Sequence, residues 1–489
     1  MAKDVIVVVQ RDALPSNKES LDILLVSTTG AYPVGTYRDV ESVEAVFGDD
    51  GPTPNAKIVR KVKTLLNQGK TTLADTLINK FKIVGFATPS SAAAVAAKFI
   101  CTFPDGDMEY PLEKDTGIWI TVGGNKEVVL SATTTAKTTK WRQVAALFGG
   151  KTFEWNGLTY NTATDGVVIT ATAAEAGKAD SIPAVVDVYA DAEFTQEWPS
   201  EHTCEFINGS DAVTTGEALV NAIKTFQADV DNDWYLLMTD RDDDDCVINL
   251  AKFAEESEPT EAELGAGVED HRKFYMGQTA NKEFATLTAR AAVIYTDQLK
   301  EEADASYVGN VGPFYPLSVT WKFKRPQNGN ATTTALITLP DLKERERDVL
   351  IENHVNFLTE EYKRQYVKEG VCLNGEFIDV VLGGDWIAKR MRDLLYDILL
   401  ENPNIDYDDA GFGLVGTAVV QALAEATDLG IIARDNESKS GIFEVSIPKY
   451  SESTEEQRAN RVMPDIPWEA RLAGSIHQVK SKGVLRVSL

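Results

Sequence analysis

Cysteine and histidine are scarce, four of each in 489 residues. Cys101, Cys204, Cys246 and Cys372 are far apart with no CxxC spacing, which argues against a disulfide framework or a zinc ribbon and fits a reducing compartment. His202, His271, His354 and His477 share no HxxxH spacing, and none sits beside a cysteine as a ligand set. Basic charge is also in short supply. Forty-eight Lys and Arg face 75 Asp and Glu, a net charge of −27, so a direct grip on nucleic acid is not expected. No window approaches the ~18 apolar residues of a membrane span. The opening MAKDVIVVVQRD has too short an apolar run for a signal peptide. The expectation is a soluble chain made in a cytoplasm, with neither a nucleic-acid nor a membrane partner.

Catalytic signatures are missing as well. The stretch Gly69-Lys70-Thr71-Thr72 suggests a phosphate loop, but a Walker loop needs a glycine where Thr64 stands and a strand before it, and here a helix precedes. The run Asp240 to Asp245 lacks the alternating spacing and final glutamate of a calcium loop. Its simplest role is to face the positive end of a helix dipole. No G-x-S-x-G elbow occurs. The sequence therefore predicts no enzyme: no catalytic residue, no cofactor site and no metal site.

What is present is an ordinary globular composition, 43% hydrophobic and 25% charged, in a chain long enough for several domains. Both ends read as strands. Val5, Ile6, Val7, Val8 and Val9 form a near-continuous apolar run, the pattern of a strand buried on both faces. In the tail, Leu485, Val487 and Leu489 alternate with Arg486 and Ser488, a period of two, with Val484 just before them. From Asn460 to Leu489 there are five basic residues and two acidic ones, a basic tail on an acidic chain. An end strand with no hairpin partner beside it invites pairing with another copy.

Between the ends, LDILLVS (21–27), FKIVGF (81–86), WYLLM (234–238) and RAAVIYT (290–296) read as buried strands, the last as a strand or a helix end. They alternate with amphipathic stretches such as Ile58, Val62, Leu65 and Leu66. Thr53 and Pro54 are the expected start of that helix and Gly69 its stop. This is an α/β pattern with a partly parallel sheet. Residues 98–200, rich in Thr, Gly, Ala and Asp, interrupt it with short strand-like runs, a β-rich insert. Further on, TWKFKRP reads as a strand and Asp348 to Tyr362 as a helix. FIDVVLG reads as a strand, with Asp385 capping the helix after it and Trp386 in the core. The fold class is α/β (α+β), multidomain: a mixed-sheet core, a β-rich inserted domain and extended arms. The boundaries are 1–20 for the N-terminal arm, 21–97 for the first part of the α/β domain, 98–200 for the insert, 201–450 for the rest of the core, and 451–489 for a linker and C-terminal arm.

The segments DVIVVVQ, YRDVESVEAVFG, NAKIVRKVKTLLNQG and INKFKIVGFATP resemble, in order and spacing, the sheath proteins of contractile phage tails and phage-tail-like particles. SVTWKFKRPQNG, the long stretch from His354 to Ala433, and IPWEARLAGSIHQVKSKGVLRV resemble the C-terminal half of one sheath subfamily. The likeness covers most of 1–90 and 315–489, and 205–300 more loosely. No single motif in it is as sharp as a metal site. The resemblance implies a structural subunit that stacks as six-fold rings around a tail tube and contracts to drive the tube through a bacterial envelope. Its implied partners are its own copies, the tail tube protein, and the baseplate and tail terminator proteins. Its implied place is the virion tail, assembled in the bacterial host cytoplasm. The arms, Val5 to Val9 and Val484, Leu485, Arg486 and Val487, would add strands to sheets in neighbouring subunits. The alternative is a soluble α/β enzyme carrying a β insert.

Overall fold

The computed structural model describes residues 21–68, 81–87, 89–122, 128–155, 158–178, 186–189, 203–260, 262, 271–331 and 335–479. It divides into two compact units, one of residues 1–89 and 219–489 and one of residues 90–218.

The larger unit is built on an eight-stranded sheet. In chain order its strands are β1 (Ile23–Ser27), β2 (Tyr32–Tyr37), β3 (Phe81–Gly85), β14 (Leu236–Thr239), β15 (Phe274–Thr279), β16 (Ala291–Tyr295), β17 (Asn356–Glu361) and β18 (Arg364–Val367). Across the sheet the order is β18-β17-β16-β15-β14-β1-β3-β2. The six central strands run parallel, and β2 and β18 close the edges antiparallel. A parallel sheet needs cover on both faces, which explains why every residue of β1, β14, β15 and β16 is buried.

The period of two sorts these residues. Ile23, Leu25, Leu236, Met238, Phe274, Met276 and Ile294 turn to one side. There they meet α1 (Val40–Phe47), α2 (Ala56–Leu66) and α6 (Ala303–Val311). Leu24, Val26, Leu237, Tyr275, Val293 and Tyr295 turn to the other side. They meet α4 (Thr215–Asp229), α5 (Asp244–Glu256) and α7 (Glu344–Glu352). A Cβ on Gly309 of α6 would lie 2.1 Å from the Leu65 carbonyl oxygen, so glycine sets the distance between α6 and α2.

Two further helices form an antiparallel pair, α8 (Ile378–Glu401) and α9 (Asp409–Asp428). Trp386 and Ile387 pack on Val419, Leu423 and Ala426, and Arg390 forks onto the Glu425 carboxylate at 2.6 and 3.1 Å. By length and composition α9 could cross a membrane, although no apolar run that long was expected. Half of its stretch is buried inside the protein. Beyond it lie β19 (Phe443–Val445), α10 (Glu455–Asn460) and β20 (Trp468–Ala470).

The smaller unit is antiparallel. Its main sheet has the order β13-β4-β11-β10-β9, from β4 (Lys98–Thr102), β9 (Thr152–Trp155), β10 (Leu158–Asp165), β11 (Val168–Ala173) and β13 (Thr203–Ile207). β6 (Gly117–Val122), β7 (Val128–Thr133) and β12 (Val186–Tyr189) make a second sheet, and β5 (Asp107–Leu112) pairs with β8 (Thr138–Lys140). A short helix, α3 (Trp141–Ala146), supplies the core with Trp141, which stacks on Phe103 at 5.4 Å. Phe153 stacks on Tyr160 at 5.1 Å.

Several sequence expectations are corrected. Residues 203–207, assigned to the core, are the edge strand of the insert, because Phe206 and Cys204 pack into its apolar cluster. Asp348 to Tyr362 is half helix and half strand: α7 ends at Glu352, and Asn356, buried among backbone groups, begins β17. FIDVVLG is the first turn and a half of α8. Ile378, Val381, Leu382 and Trp386 bury one helical face there, and their spacing is i, i+3, i+4, i+8. Asp385 consequently lies within that helix and caps nothing. TWKFKRP forms no strand. The start of α2 is capped by Asn55, one residue beyond the Thr53-Pro54 pair. Gly69, offered as its stop, lies outside the described residues.

Candidate assembly surface

In an open α/β sheet, ligands bind where neighbouring strands send their connections in opposite directions. Here that point lies beyond the carboxyl ends of β1 and β14, since β1 leads toward β3 and β14 toward β15. An enzyme of this fold would carry its site there. Side chains there bond to one another. The Asp240 carboxylate accepts from Thr28 N at 3.1 and 3.0 Å, Thr28 Oγ1 at 2.8 Å and Asn55 Nδ2 at 3.0 Å. Asn55 also donates to Ser27 Oγ, and its Oδ1 accepts from Lys57 N and Ile58 N, capping α2. Lys57 pairs with Asp242.

One turn further along α2, Lys61 is 0% exposed. Its Nζ lies 2.6 Å from Asp304 and 3.3 Å from Glu302, and Arg60 reaches Glu302 at 3.1 Å. Burial alone would pull the Lys61 ammonium down, but Asp304 and Glu302 outweigh it and hold the amine above the usual lysine range. Burial pushes both carboxyls up, and Lys61 pulls each back. We take the cluster as charged, because two short hydrogen bonds tie Lys61 to Asp304.

The acidic run behaves as its position requires. Asp243 caps α5 through Cys246 N at 3.2 Å and pairs with Arg241 at 2.8 Å. Asp244 accepts from Thr279 and Asn281, and Asp245 accepts from Asn249. One ligand atom each from Asp243, Asp245 and Cys246 comes within 4.8 Å of the others. That group is the cap of α5, with its carboxylates engaged by the contacts above.

Unpaired backbone lies at the other end of the chain. β19 and β20 form a two-stranded antiparallel sheet, in register Phe443↔Ala470, Glu444↔Glu469 and Val445↔Trp468. Arg471 N donates to Ile442 O, and Ser446 N donates to Pro467 O, both at 2.9 Å. In an antiparallel ladder this makes Glu444 and Glu469 the hydrogen-bonded pair. Phe443 and Val445 on one side, and Trp468 and Ala470 on the other, therefore turn their backbone N–H and C=O groups to the outer edges. Among the described residues neither edge carries a third strand. A two-stranded sheet of three residues is marginal by itself. This one is anchored by Phe443, Val445 and Ala470 packing on the α8–α9 cluster.

The stretch from 451, expected as a linker and C-terminal arm, contains a short helix and a strand within residues 451–470. Thr454 caps α10 in a reciprocal box with Gln457, and β20 returns the chain to β19. The chain separates only beyond Ala473, whose N–H donates to Ile431 O. It then holds to the core through His477. Nε2 of that residue lies 2.9 Å from Thr320 Oγ1, and its ring sits edge-on to Phe377 at 4.8 Å and to Phe323 at 6.2 Å. On either side Ile476 and Val479 are 78% and 82% exposed. Val5, Ile6, Val7, Val8 and Val9, and Val484, Leu485, Arg486 and Val487, lie outside the described residues, as does the Gly69-Lys70-Thr71 stretch. Sequence reasoning missed the β19–β20 sheet as a site. Its signal was available in the alternation of Phe443, Val445 and Ile447 with Glu444 and Ser446.

No protein-family model and no curated protein sequence matches the chain. Among solved structures it is similar to a chain of the six-fold symmetrised anti-feeding prophage baseplate, with 12% identity and a TM-score of 0.40, covering 58% of this chain and 76% of that one. It is also similar to the sheath tail protein of Desulfitobacterium hafniense, with 12% identity and a TM-score of 0.39, covering 88% of this chain and 90% of that one. A third similar structure is a sheath tail protein of Listeria innocua, with 12% identity and a TM-score of 0.40, covering 88% and 89%.

Proposed function

We propose that this chain is the structural subunit of a contractile tail sheath. It polymerises as stacked six-fold rings around a tail tube, and the lattice contracts between baseplate and terminator to drive the tube through a bacterial envelope. The observation that carries the reading is the β19–β20 sheet, a small anchored sheet with two open edges, in a chain whose two ends are strand-like in sequence. An open edge is a template for a strand from another chain, with backbone hydrogen bonds giving the affinity and alternate side chains the register. Donor and acceptor on one polypeptide make a polymer. The sequence resemblance to sheath proteins supplies the type of polymer. Strand exchange of this kind holds neighbours together while rigid units rotate, as contraction demands.

Deleting Met1 to Gln10, or Ser481 to Leu489, should abolish tubes and rings in electron micrographs while leaving a folded monomer. Val445→Pro and Ala470→Pro each remove one outward N–H from an edge without breaking the β19–β20 ladder. At least one of them should stop assembly. Normal tubes from either truncated chain would overturn the donor role, and normal tubes from both proline variants would overturn the acceptor role.

A further inference from the structure

We propose that Cys101 and Cys204 are a redox-sensitive pair that closes into a disulfide, stapling the first strand of the insert's main sheet to its last. β4 and β13 are antiparallel neighbours, and their register sets Cys204 directly opposite Cys101, between the pairs Thr203↔Thr102 and Glu205↔Ile100. Residues so opposed in an antiparallel pair hold their Cα atoms roughly 4.5–5.5 Å apart, inside the range a disulfide spans. Both side chains turn to the same face. Cys101 is buried with Phe99, and Cys204 and Phe206 pack against the same cluster. Both thiols are free in this structure.

The two sulfurs are unequal. They share a hydrogen bond, which pushes the Cys101 thiol up, with burial adding to it, and draws the half-buried Cys204 thiol down against its own burial. Cys204 is the less buried of the two and so the sulfur that a reagent meets first. It also stands on the edge strand of the sheet, where a small reagent has access. Its thiolate attacks one sulfur of a low-molecular-weight disulfide, forming a mixed disulfide and expelling one thiolate. Cys101, giving up its proton, then attacks the Cys204 sulfur and expels the second. Two protein thiols are oxidised, one small disulfide is reduced to two thiols, and the two protons pass to the leaving thiolates. The other cysteines have no such neighbour. Burial pushes the Cys246 thiol up to about 12 and raises Cys372 as well.

In a reducing cytoplasm the pair stays as two thiols. Outside it the bond closes a loop running from residue 101 to residue 204, nearly the whole insert, and loops that long restrict the unfolded chain most. The inference rests on the insert alone and stands or falls independently of polymerisation.

The test treats the purified full chain with oxidised glutathione, then denatures it, counts thiols and maps peptides by mass without reduction. The count should fall from four to two. One cross-linked species should join the Cys101 and Cys204 peptides, and dithiothreitol should reverse it. The insert should resist protease longer when oxidised. In Cys101→Ala, Cys204 should keep a stable glutathione adduct, whereas Cys204→Ala should leave Cys101 unmodified. Four thiols remaining in the wild-type chain, an unresolved adduct on its Cys204, or a bond to Cys246 or Cys372 would each overturn the proposal.

Discussion

Asp385 offers the sharpest energetic test of how the larger unit is held together. It lies within α8, and its carboxylate binds side chains at the amino ends of the sheet strands. Oδ2 accepts from Tyr235 Oη at 2.5 Å and from Arg290 Nη2. Oδ1 accepts from Arg290 Nη1 at 3.2 Å and Arg272 Nη1 at 3.4 Å. The Arg290 side chain is 3% exposed, and its Nε donates to Lys273 O at 3.0 Å. Burial would lower the guanidinium, but Asp385 overcomes it and raises it, so the arginine is charged in the folded state. Asp385→Asn keeps the shape and leaves that charge without its main partner. Breaking a buried pair by neutralising one member costs about 3–5 kcal/mol. Glu258 remains 3.3 Å from Arg290 but is 44% exposed, so about 3 kcal/mol is expected. Urea unfolding followed by tryptophan fluorescence reads the shift through Trp234 and Trp386, both buried in this unit. Replacing both partners, as Asp385→Leu with Arg290→Met, removes the desolvation cost with the attraction and should come within about 1 kcal/mol of the parent. A cost below about 1 kcal/mol for Asp385→Asn, or a double variant as unstable as the sum of the singles, would refute the reasoning.

Two more perturbations follow from buried polar groups. Burial draws Lys273 down to about 7, with Asp233 and Asp231 pulling it partly back, whereas the unfolded chain keeps the ordinary 10.5. Between those values the unfolded state holds a proton that the folded state lacks. Stability should therefore climb with pH, by up to roughly 1.4 kcal/mol per unit, and Lys273→Met should lose that climb in urea titrations from pH 7 to 9.5; parallel curves would refute it. Asn55→Ala removes the cap of α2 and a donor to Asp240, and should cost about 2–3 kcal/mol by the same measurement; a loss under about 0.5 kcal/mol would show that the Asp240 network closes without it.

Much of the core was legible because a parallel sheet buried on both faces writes itself as short apolar runs. Ile23 to Ser27 and Leu236 to Met238 were visible for that reason, while Ala291 to Tyr295 read as a strand or a helix end. The misreadings also have physical causes. Ile378 to Leu382 is apolar over too short a window to separate a strand from a helix, and only Trp386, a turn later, breaks the tie. Asn356 looks like a poor strand residue until its side chain is seen satisfying Val293 O, Val371 O and the N–H groups of Gly370 and Val371. Asp385 looked like a cap because its partners, Tyr235, Arg272 and Arg290, are more than ninety residues away and no local pattern reports them. The facing of Cys101 and Cys204 depends on a register across the whole insert, and spacing cannot reveal that.

The same long-range polar contacts bear on how such a subunit would work in a lattice. Pairing Lys57, Lys61 and Arg60 along α2 with carboxylates is no efficient route to stability, since apolar side chains of equal volume do as well or better. What a buried ion pair such as Lys61–Asp304, held by two hydrogen bonds, does provide is a single allowed arrangement: a shift of one element strands a charge. At the opposite ends of the strands, Asp385 ties α8 to β14, β15 and β16 in the same manner. A unit so pinned at both ends of its sheet would move as one body in the proposed polymer. Among the described residues beyond Ala473, His477 and its aromatic neighbours hold the chain to the core. Force applied to the rigid unit would pass to its neighbours through the β19–β20 edges. The strands added there would bear it along a row of backbone hydrogen bonds, which must be lost together and not one after another.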